Sequence, residues 1–297
     1  LSSRRKKHKE QVGEVNKNPS STQEKVFGIY VVKTISFNLL GNFGRLGNSM
    51  FQYATVLGAA KKSGHVPFCN ISGIPLFSEC FDLGSVENGQ VEPELILNER
   101  GFEYQEIVHN LPVDKSIDIR GYFQTEKYFK CVENEVRQDF TFKEHIRNKA
   151  IDKIPEDVCV SVHIRRSDYV NLQDYHFNQT TDYYYKALEH FPDHRPVFFS
   201  DDIAWCKEQF SGVKNDPIFV ENEETLNTSA AHNSDISGYI DMCAMSFCND
   251  HIIANSSFSW WGAWLGQGRV VAPSNWFGPK EAWKNHKDVY CEGWIVL

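Results

Sequence analysis

Residues 26–64 decide the fold of this chain: VFGIYVVKTISFNLLGNFGRLGNSMFQYATVLGAAKKSG. The opening part, 26–40, is rich in β-branched and aromatic residues, a pattern typical of a strand. A glycine-rich turn follows at 41–48, and the apolar segment after it predicts a helix that ends at Gly64. A strand, a glycine loop and a helix in this order form the beginning of a Rossmann-like unit.

A second series of alternating strands and helices begins near Pro155. Because strands that alternate with helices form parallel sheets, this series predicts an α/β fold with a doubly wound sheet. Ligands of such sheets bind at the carboxyl ends of the strands. The predicted strands are 158–164, 196–202, 217–221, 251–255 and 269–277, and the predicted helices are 181–191, 203–210, 236–249 and 256–266.

The chain has 297 residues, which is enough for two domains. We predict an N-terminal Rossmann-like domain at 26–155 and a C-terminal one at 156–297. Residues 1–25 are polar, lack a hydrophobic period and contain a basic block, so we expect a disordered stem or linker there. A solvated tail without a partner is the preferred interpretation of the basic block.

The composition excludes some classes of protein. The net charge of −8 argues against a nucleic-acid binder, and no apolar run is long enough to span a membrane. None of the eight cysteines forms a CxxC pair, which argues against a structural zinc site, and their even number is weak evidence for disulfides. The glycosylation triplets at Asn70, Asn178, Asn227 and Asn255 favour a protein of the secretory pathway.

The glycine loop GNFGRLGN, residues 41–48, is the first candidate site. Its glycines are three residues apart, so it is neither a GxGxxG motif nor a P-loop. Glycines leave room for a ligand, and the following helix offers free N–H groups and a positive dipole end. Arg45 and Asn48 add side-chain donors. A tight strand–helix turn without any ligand explains this motif equally well.

The stretch VCVSVHIRRSDYV, residues 158–170, is the second candidate. A buried strand ends here at His163, Arg165, Arg166 and Asp168. Because side chains alternate along a strand, we expect only one of the two arginines to reach a cleft. The planar fork of an arginine suits a diphosphate. The alternative is a buried Arg–Asp salt bridge, and two arginines beside a histidine favour the anion site.

The third candidate is FFSDD, which brings Asp201 and Asp202 to the end of a strand. Adjacent carboxylates match a DxD metal site poorly, so no metal site is predicted. Acids in this position often cap the next helix, and we expect one of the two to do so. They are equally able to accept hydrogen bonds from a ribose or a base edge.

The fourth candidate is HIIANSSFSWWGAWLG, residues 251–266, in which an apolar strand runs into serines at a helix start. Hydroxyl groups together with helix N–H groups form a cradle for an anion. Most of the aromatic residues are expected to pack in the core. Ser256, Ser257 and Phe258, which lie at the turn, are the expected ligand contacts.

Four motifs in this order resemble the α-1,2-fucosyltransferases of glycosyltransferase family 11: GRLGNSMFQYA (44–54), VHIRRSDY (162–169), FSDD (199–202) and IIANSSFSWWGAWL (252–265). The resemblance implies a GT-B-like fold, in which two Rossmann-like domains face a cleft. It also implies GDP-β-L-fucose as donor, inversion at the fucose carbon, no metal and no cofactor. The acceptor would be a galactose-terminated glycan, and the product an α-1,2 linkage.

The resemblance also implies different roles for the two domains. The N-terminal domain, with its glycine loop, would take the acceptor side, and the C-terminal domain would bind the nucleotide sugar. In animals such enzymes are Golgi type II membrane proteins with a lumenal catalytic domain, which implies a membrane anchor upstream of residue 1.

The motifs assign roles residue by residue. Arg165 matches the arginine that contacts the donor β-phosphate in related enzymes. Two positions depart from the family pattern: Ser49 stands where Gln is common, and Ser167 where Gly is common. The predicted catalytic residues are Arg165, Asn48 and Asp168, and the predicted substrate-binding residues are Gly44, Arg45, Gly47, His163, Arg166, Asp202, Ser256, Ser257 and Phe258.

The sequence does not identify the catalytic base. Asp168, Asp174 and His176 follow the arginines closely and are candidates. We favour Asp168, which could also serve only to position Arg165. Departure driven by arginine, with late proton loss to water, would need no strong base. The alternative for the whole chain is an inactive glycan- or nucleotide-binding protein on the same scaffold.

Overall fold

The computed structural model describes residues 32–221 and 235–297, and residues 32–297 form one compact unit. The predicted stem at 1–25, the start of the first predicted strand and the triplet at Asn227 lie outside the described residues. The boundary predicted near 155 stays a prediction.

Strands and helices alternate through most of the described residues. The strands are β1 (Thr34–Phe37), β2 (Val66–Cys69), β3 (Glu87–Asn88), β4 (Leu95–Asn98), β5 (Ile117–Arg120), β6 (Cys159–Ile164), β7 (Arg195–Ser200), β8 (Ile218–Phe219), β9 (Asp250–Ile252), β10 (Val270–Ala272) and β11 (Ile295–Val296). The helices are α1 (Leu46–Ser63), α2 (Phe77–Cys80), α3 (Glu133–Asp139), α4 (Glu144–Ile151), α5 (Ser167–Asn171), α6 (Thr181–Leu188), α7 (Ile203–Phe210), α8 (Ile236–Phe247) and α9 (Ser257–Gly266).

The first sheet has the strand order β3-β2-β1-β5-β4, and all of its pairs are parallel. In the register of this sheet Ile35 lies opposite both Pro67 and Ile117. The chain leaves β1 toward β2 and β3 on one side and returns to β5 on the other side. The point between β1 and β5 is therefore a topological switch point, where open α/β sheets bind ligands.

The second sheet has the order β11-β10-β9-β6-β7-β8 and is also parallel throughout. Every residue of β6 is buried, as the apolar run in the sequence predicts. The chain proceeds from β6 to β7 and β8, then crosses to β9 on the opposite side. The switch point of this sheet lies between β6 and β9. The predicted α/β fold with two doubly wound sheets is confirmed.

Helix α1 joins the first sheet to the rest of the core. It ends as predicted at Gly64, which adopts the left-handed conformation with φ 73° and donates its N–H to the Ala60 carbonyl. On its buried face the Phe51 ring lies 4.5 Å from the Trp260 ring and 4.9 Å from the Trp261 ring of α9. Aromatic burial of this kind fixes α1 and α9 against each other.

Several predicted strands are too long, and those predicted at 196–202 and 217–221 end at Ser200 and Phe219. The strand predicted at 251–255 ends at Ile252, because the chain must turn there to begin α9. The strand predicted at 269–277 ends at Ala272, since Pro273 has no N–H to continue the ladder. All eight cysteines lie in the described residues and all are free thiols, so the weak disulfide signal finds no bond. No described helix combines the length and apolar character that crossing a membrane requires.

Candidate active site

The two switch points face each other across one site. The glycine loop extends from β1, and the arginine motif extends from β6. The Arg45 Nη2 of the loop donates to Asp168 Oδ2 of the motif, forming an ion pair between segments 123 residues apart. Two candidate sites that the sequence presents separately therefore form one site.

The glycine loop also contacts the serine turn. A Cβ atom on Gly47 would lie 2.5 Å from the Ser257 carbonyl carbon and 2.7 Å from the Phe258 nitrogen, so only glycine fits there. The indole Nε1 of Trp261 donates to the Gly47 carbonyl at 2.9 Å. The beginnings of α1 and α9 are thus locked together, and their free N–H groups lie close to each other.

Asn48 is held by the neighbouring loop. Gly44 has φ 84°, and a Cβ atom there would lie 1.9 Å from Asn48 Nδ2. The Gln124 Nε2, which follows β5, donates to Asn48 Oδ1 at 2.6 Å. Because the amide oxygen accepts from Gln124, the amide NH₂ of Asn48, which lies against Gly44, remains a donor.

Arg165 is fixed by two carboxylates. Its Nη2 donates to Asp168 Oδ1 at 2.6 Å, and its Nη1 lies 2.8 Å from Asp201 Oδ2. The side chain of Arg165 is only 15% exposed. A guanidinium has five N–H groups, so these bonds leave donors for a ligand.

Arg166 turns to different partners, as the alternation along the strand predicts. Its Nε lies 3.1 Å from Asp202 Oδ2, and its guanidinium carbon lies 3.9 Å from the centre of the Trp205 ring. Asp202 Oδ1 accepts the Trp205 N–H at 3.2 Å and caps α7, so the predicted cap is confirmed. Asp201 instead accepts the N–H of Arg166 at 2.9 Å and the hydroxyl of Ser167 at 2.6 Å.

The ion pairs determine the charge state of the acids. Burial acts to raise the pKa of Asp168, but the guanidiniums of Arg165 and Arg45 lower it below its ordinary value. Burial likewise opposes ionisation of Asp201, and Arg165 with the hydrogen bonds of Ser167 and Arg166 lowers the pKa of that carboxyl. Both acids are anionic, so the unliganded site contains the Arg–Asp pairs that the sequence left as an alternative.

His163 is buried at 5% exposure beside the serine turn, with its ring centre 5.3 Å from that of Phe258. Burial lowers the pKa of His163 to about 3, Asp201 raises it and Arg165 lowers it, so the ring is neutral at neutral pH. Its buried Nδ1 has no hydrogen-bond partner among the described residues. A buried polar atom of this kind is costly unless a ligand or water satisfies it.

Ser256 is the N-cap residue of α9 and makes no side-chain capping bond. The Ser256 N–H donates to the Ala254 carbonyl at 2.8 Å, so the turn leaves the Ser256 hydroxyl and the N–H groups of Ser257 and Phe258 for a ligand. Asn255, just before it, has its glycosylation nitrogen buried: Nδ2 donates to the Phe177 and Trp276 carbonyls at 2.9 and 2.8 Å. A glycan on this nitrogen is incompatible with the fold.

The structure separates the three base candidates. Asp168 accepts hydrogen bonds from two guanidiniums on its two oxygens, so it is a weak base. Asp174 is 63% exposed and pairs with Lys280 at 2.7 Å. The His176 ring stacks on Tyr169 at 4.3 Å and 6°. Burial lowers the pKa of His176, Asp168 opposes this, and Arg45, Arg165 and Lys284 lower it further.

The sequence analysis did not identify one acid in this region. Glu99, directly after β4, accepts the N–H groups of Tyr122 at 2.7 Å and Phe123 at 3.0 Å, in the turn that leads to Gln124. Only its position at the end of a short strand could have indicated it. In the described part of the chain, no three His, Cys, Asp or Glu side chains converge as a metal site requires.

Comparisons with known proteins agree with the motifs. The model of glycosyl transferase family 11 matches residues 103–297. An α-1,2-colitosyltransferase of Escherichia coli is 34% identical over 222 residues, which cover 69% of this chain and 71% of that protein. The galactoside α-(1,2)-fucosyltransferase 2 of Oryctolagus cuniculus is 26% identical over 257 residues, which cover 80% of this chain and 69% of that protein.

Solved structures share the fold. The NodZ α-1,6-fucosyltransferase, in a crystal soaked with GDP-fucose, matches with a TM-score of 0.52 at 14% identity, over 82% of this chain and 95% of that one. A mutant of Arabidopsis thaliana FUT1 in complex with GDP matches with a TM-score of 0.53 at 10% identity, over 84% of this chain and 72% of that one. The expected GT-B-like arrangement of two Rossmann-like sheets is confirmed.

Proposed function

The chain belongs to glycosyltransferase family 11, and from this we propose that it transfers L-fucose from GDP-β-L-fucose, with inversion, to the 2-hydroxyl of a terminal galactose. One observation carries the proposal: the switch points of both sheets meet at Arg45, Arg165 and the start of α9. Ligands of open α/β sheets bind at such points, and these groups are donors for an anion.

Breaking the fucosyl–phosphate bond places negative charge on the β-phosphate and leaves an oxocarbenium-like sugar. Arg165, the amide of Asn48 and the N–H groups at the start of α9 are donors for that developing charge. Donors fixed before the reaction stabilise the transition state more than the ground state. Asp168 holds Arg165 and Arg45 in place as a positioning residue. The expectation that no metal takes part stays a prediction.

The other predicted substrate-binding residues have supporting roles in this proposal. The neutral ring of His163 and its unpartnered Nδ1 lie next to the Ser257–Phe258 turn, which suits the nucleoside part of the donor. Gly44 and Gly47 give the backbone its close approach. Arg166 and Asp202 bond to each other and to α7, and a contact of either with the donor is part of the proposal.

Membership of the family does not by itself determine which sugar is transferred or which acceptor receives it. The galactoside relative supports fucose and galactose, and the Escherichia coli relative with higher identity acts with colitose. We propose fucose because all four motifs match those of the α-1,2-fucosyltransferases. We further propose that the protein acts in the Golgi lumen as a type II membrane protein. The sequon at Asn70 supports the lumenal location, which sensitivity of the cell-derived protein to endoglycosidase tests.

Release of GDP on a panel of glycans tests the function. We expect release with GDP-fucose in the presence of β-galactose-terminated glycans, and a product with a new α-1,2 linkage by NMR. Release with nucleotide-linked colitose alone would reassign the donor. Binding of GDP-fucose without release on any glycan would favour the inactive binding protein.

A further inference from the structure

Glu99 is placed at the carboxyl edge of the first sheet. It directly follows β4, and its N–H donates to the Arg120 carbonyl at the end of β5 at 2.8 Å. Its Oε2 accepts the Tyr122 N–H and its Oε1 accepts the Phe123 N–H. A Cβ atom on Gly121 would lie 2.6 Å from Oε2, so glycine is what allows the carboxylate to lie against this turn.

The turn that Glu99 holds reaches the glycine loop. Phe123 is buried with φ 51°, a strained conformation for a bulky residue, and the two bonds to Glu99 support it. The next residue, Gln124, bonds to Asn48, and the Tyr122 ring lies edge-on to Phe43 at 6.2 Å. Glu99 therefore borders the switch point of the first sheet.

Glu99 shares one charged neighbour, Lys284, with His176 of the candidate site. No ion pair to its carboxylate is present in the described residues. The ammonium of Lys284 acts on Glu99 and also on His176, which in turn is influenced by Arg45, Arg165 and Asp168. The charge of Glu99 also acts to raise the pKa of the nearby Tyr128 phenol. The bonded route from Glu99 to the candidate site runs through the Tyr122–Phe123 turn and Gln124 to Asn48.

Resting on the proposed function, we propose that Glu99 is the catalytic base, and that its carboxylate takes the proton of the acceptor hydroxyl. As the hydroxyl oxygen bonds to C1 of fucose, the bond from C1 to the β-phosphate oxygen breaks. The electron pair of that bond leaves with GDP, and the proton ends on the Glu99 carboxylate. Asp168, the base favoured by the sequence, is instead bound on both oxygens by guanidiniums.

The chemistry of the group fits this role. Each carboxylate oxygen accepts one N–H bond and keeps a further lone pair for a substrate hydroxyl. Burial raises the pKa of Glu99 to about 7, while the N–H groups of Tyr122 and Phe123 and the charge of Lys284 act to lower it. A base is most effective when its pKa lies near the working pH. The first sheet is also the side on which the acceptor is expected.

Transfer to azide distinguishes a base from a structural residue, because azide attacks C1 without losing a proton. We expect Glu99→Gln to reduce fucosyl transfer to a galactoside by about 10²–10⁴-fold, the usual contribution of a general base. Formation of fucosyl azide from GDP-fucose should stay within about threefold of wild type. Glu103→Gln, which removes an exposed carboxylate nearby, is the matched control and should behave as wild type in both reactions.

The wild-type pH profile is an independent measurement that needs no variant. We expect kcat/KM for the galactoside to fall about tenfold per pH unit below about pH 7, while azide transfer lacks this decline. Equal losses of both reactions in a folded Glu99→Gln protein, or a wild-type profile flat below pH 7, would overturn the proposal. Wild-type protein that forms fucosyl azide but modifies no glycan would instead contradict the proposed acceptor, and absence of both reactions the proposed donor.

Discussion

At the scale of single residues, the arginine cluster is electrically balanced before any donor enters. Arg45, Arg165 and Arg166 face the carboxylates of Asp168, Asp201 and Asp202 in direct ion pairs. A diphosphate therefore meets guanidiniums that carboxylates already hold in place, rather than an open positive pocket. The specificity of the site comes from the fixed geometry of the guanidiniums more than from net charge.

Replacing Arg165 tests this geometry. We expect Arg165→Ala to reduce kcat by about 10²–10³-fold, since a fixed donor to the leaving group is lost. Arg165→Lys keeps the charge but cannot bond to two partners in one plane, so it should recover only a small part of the rate. The measurement is GDP release at saturating donor and acceptor.

The fold should survive the Arg165 substitutions, because Asp168 keeps Arg45, and Asp201 keeps Ser167 and the Arg166 N–H. Arg195→Ala, which removes a partly exposed ion pair with Asp216 at the beginning of β7, is the matched control and should retain its rate. Near-normal turnover of folded Arg165→Ala would remove Arg165 from the mechanism.

Asp202 has one role in the structure and another in the proposal, and two variants separate them. Asp202→Ala removes the cap of α7 and should lower the unfolding free energy by about 1 kcal/mol, whereas Asp202→Asn caps equally well and should stay near wild type. If the carboxylate also contacts the donor, as predicted, KM for GDP-fucose rises in both. An unchanged KM in Asp202→Asn would show that Asp202 acts only as a cap.

At the scale of elements, the junction of α1 and α9 sets the geometry of the site. A methyl group on Gly47 would press into the backbone of Ser257 and Phe258. We therefore expect Gly47→Ala to lower the unfolding free energy by about 1–3 kcal/mol, as overpacking does, and to raise KM for the donor. Urea unfolding and donor titration measure the two effects.

Gly212→Ala is the matched control for this junction, because a Cβ atom at Gly212 meets no atom within 4 Å. Its unfolding free energy should stay within about 0.5 kcal/mol of wild type. Wild-type stability and KM in Gly47→Ala would mean that the two helix beginnings are not locked together.

Local patterns explain which elements could be predicted from the sequence. The apolar run of β6, the glycine that ends α1 and the acid that caps α7 are all read from neighbouring residues. Strand β4 is largely exposed and edges its sheet, so it shows no alternation, and Glu99 behind it looks like any surface acid. The pair of Arg45 and Asp168 joins distant segments, which no local pattern can show.

At the scale of the whole molecule, buried histidines make stability depend on pH. Burial lowers the pKa of His163 to about 3 and that of His251 to about 4, from an ordinary 6.5. Below pH 6.5 the unfolded chain takes up protons that the folded chain does not. The free energy of unfolding therefore decreases as the pH is lowered. The pKa of Glu99 is raised from 4.5 to about 7, so this group instead increases the free energy of unfolding as the pH is lowered from 7 to 4.5. The effect of the two histidines exceeds that of Glu99, since each unit of pKa shift corresponds to about 1.4 kcal/mol.

Urea midpoints at about pH 7.5 and pH 5 measure this dependence, and we expect a clearly lower midpoint in acid. His145→Gln, at an exposed position, should show the same decrease as wild type. NMR titration should find His163 and His251 neutral at pH 5. Equal midpoints at both pH values, or protonation of these rings at pH 5, would contradict the prediction.

The amide of Asn255 has a consequence for how the molecule is made. Oligosaccharyl transfer acts on an extended chain, whereas folding encloses this nitrogen between the Phe177 and Trp276 carbonyls. If the chain enters the secretory pathway, as we propose, the two processes compete during synthesis. A chain modified there is diverted from maturation, so the yield of enzyme from a secreting cell depends on the speed with which its last third closes.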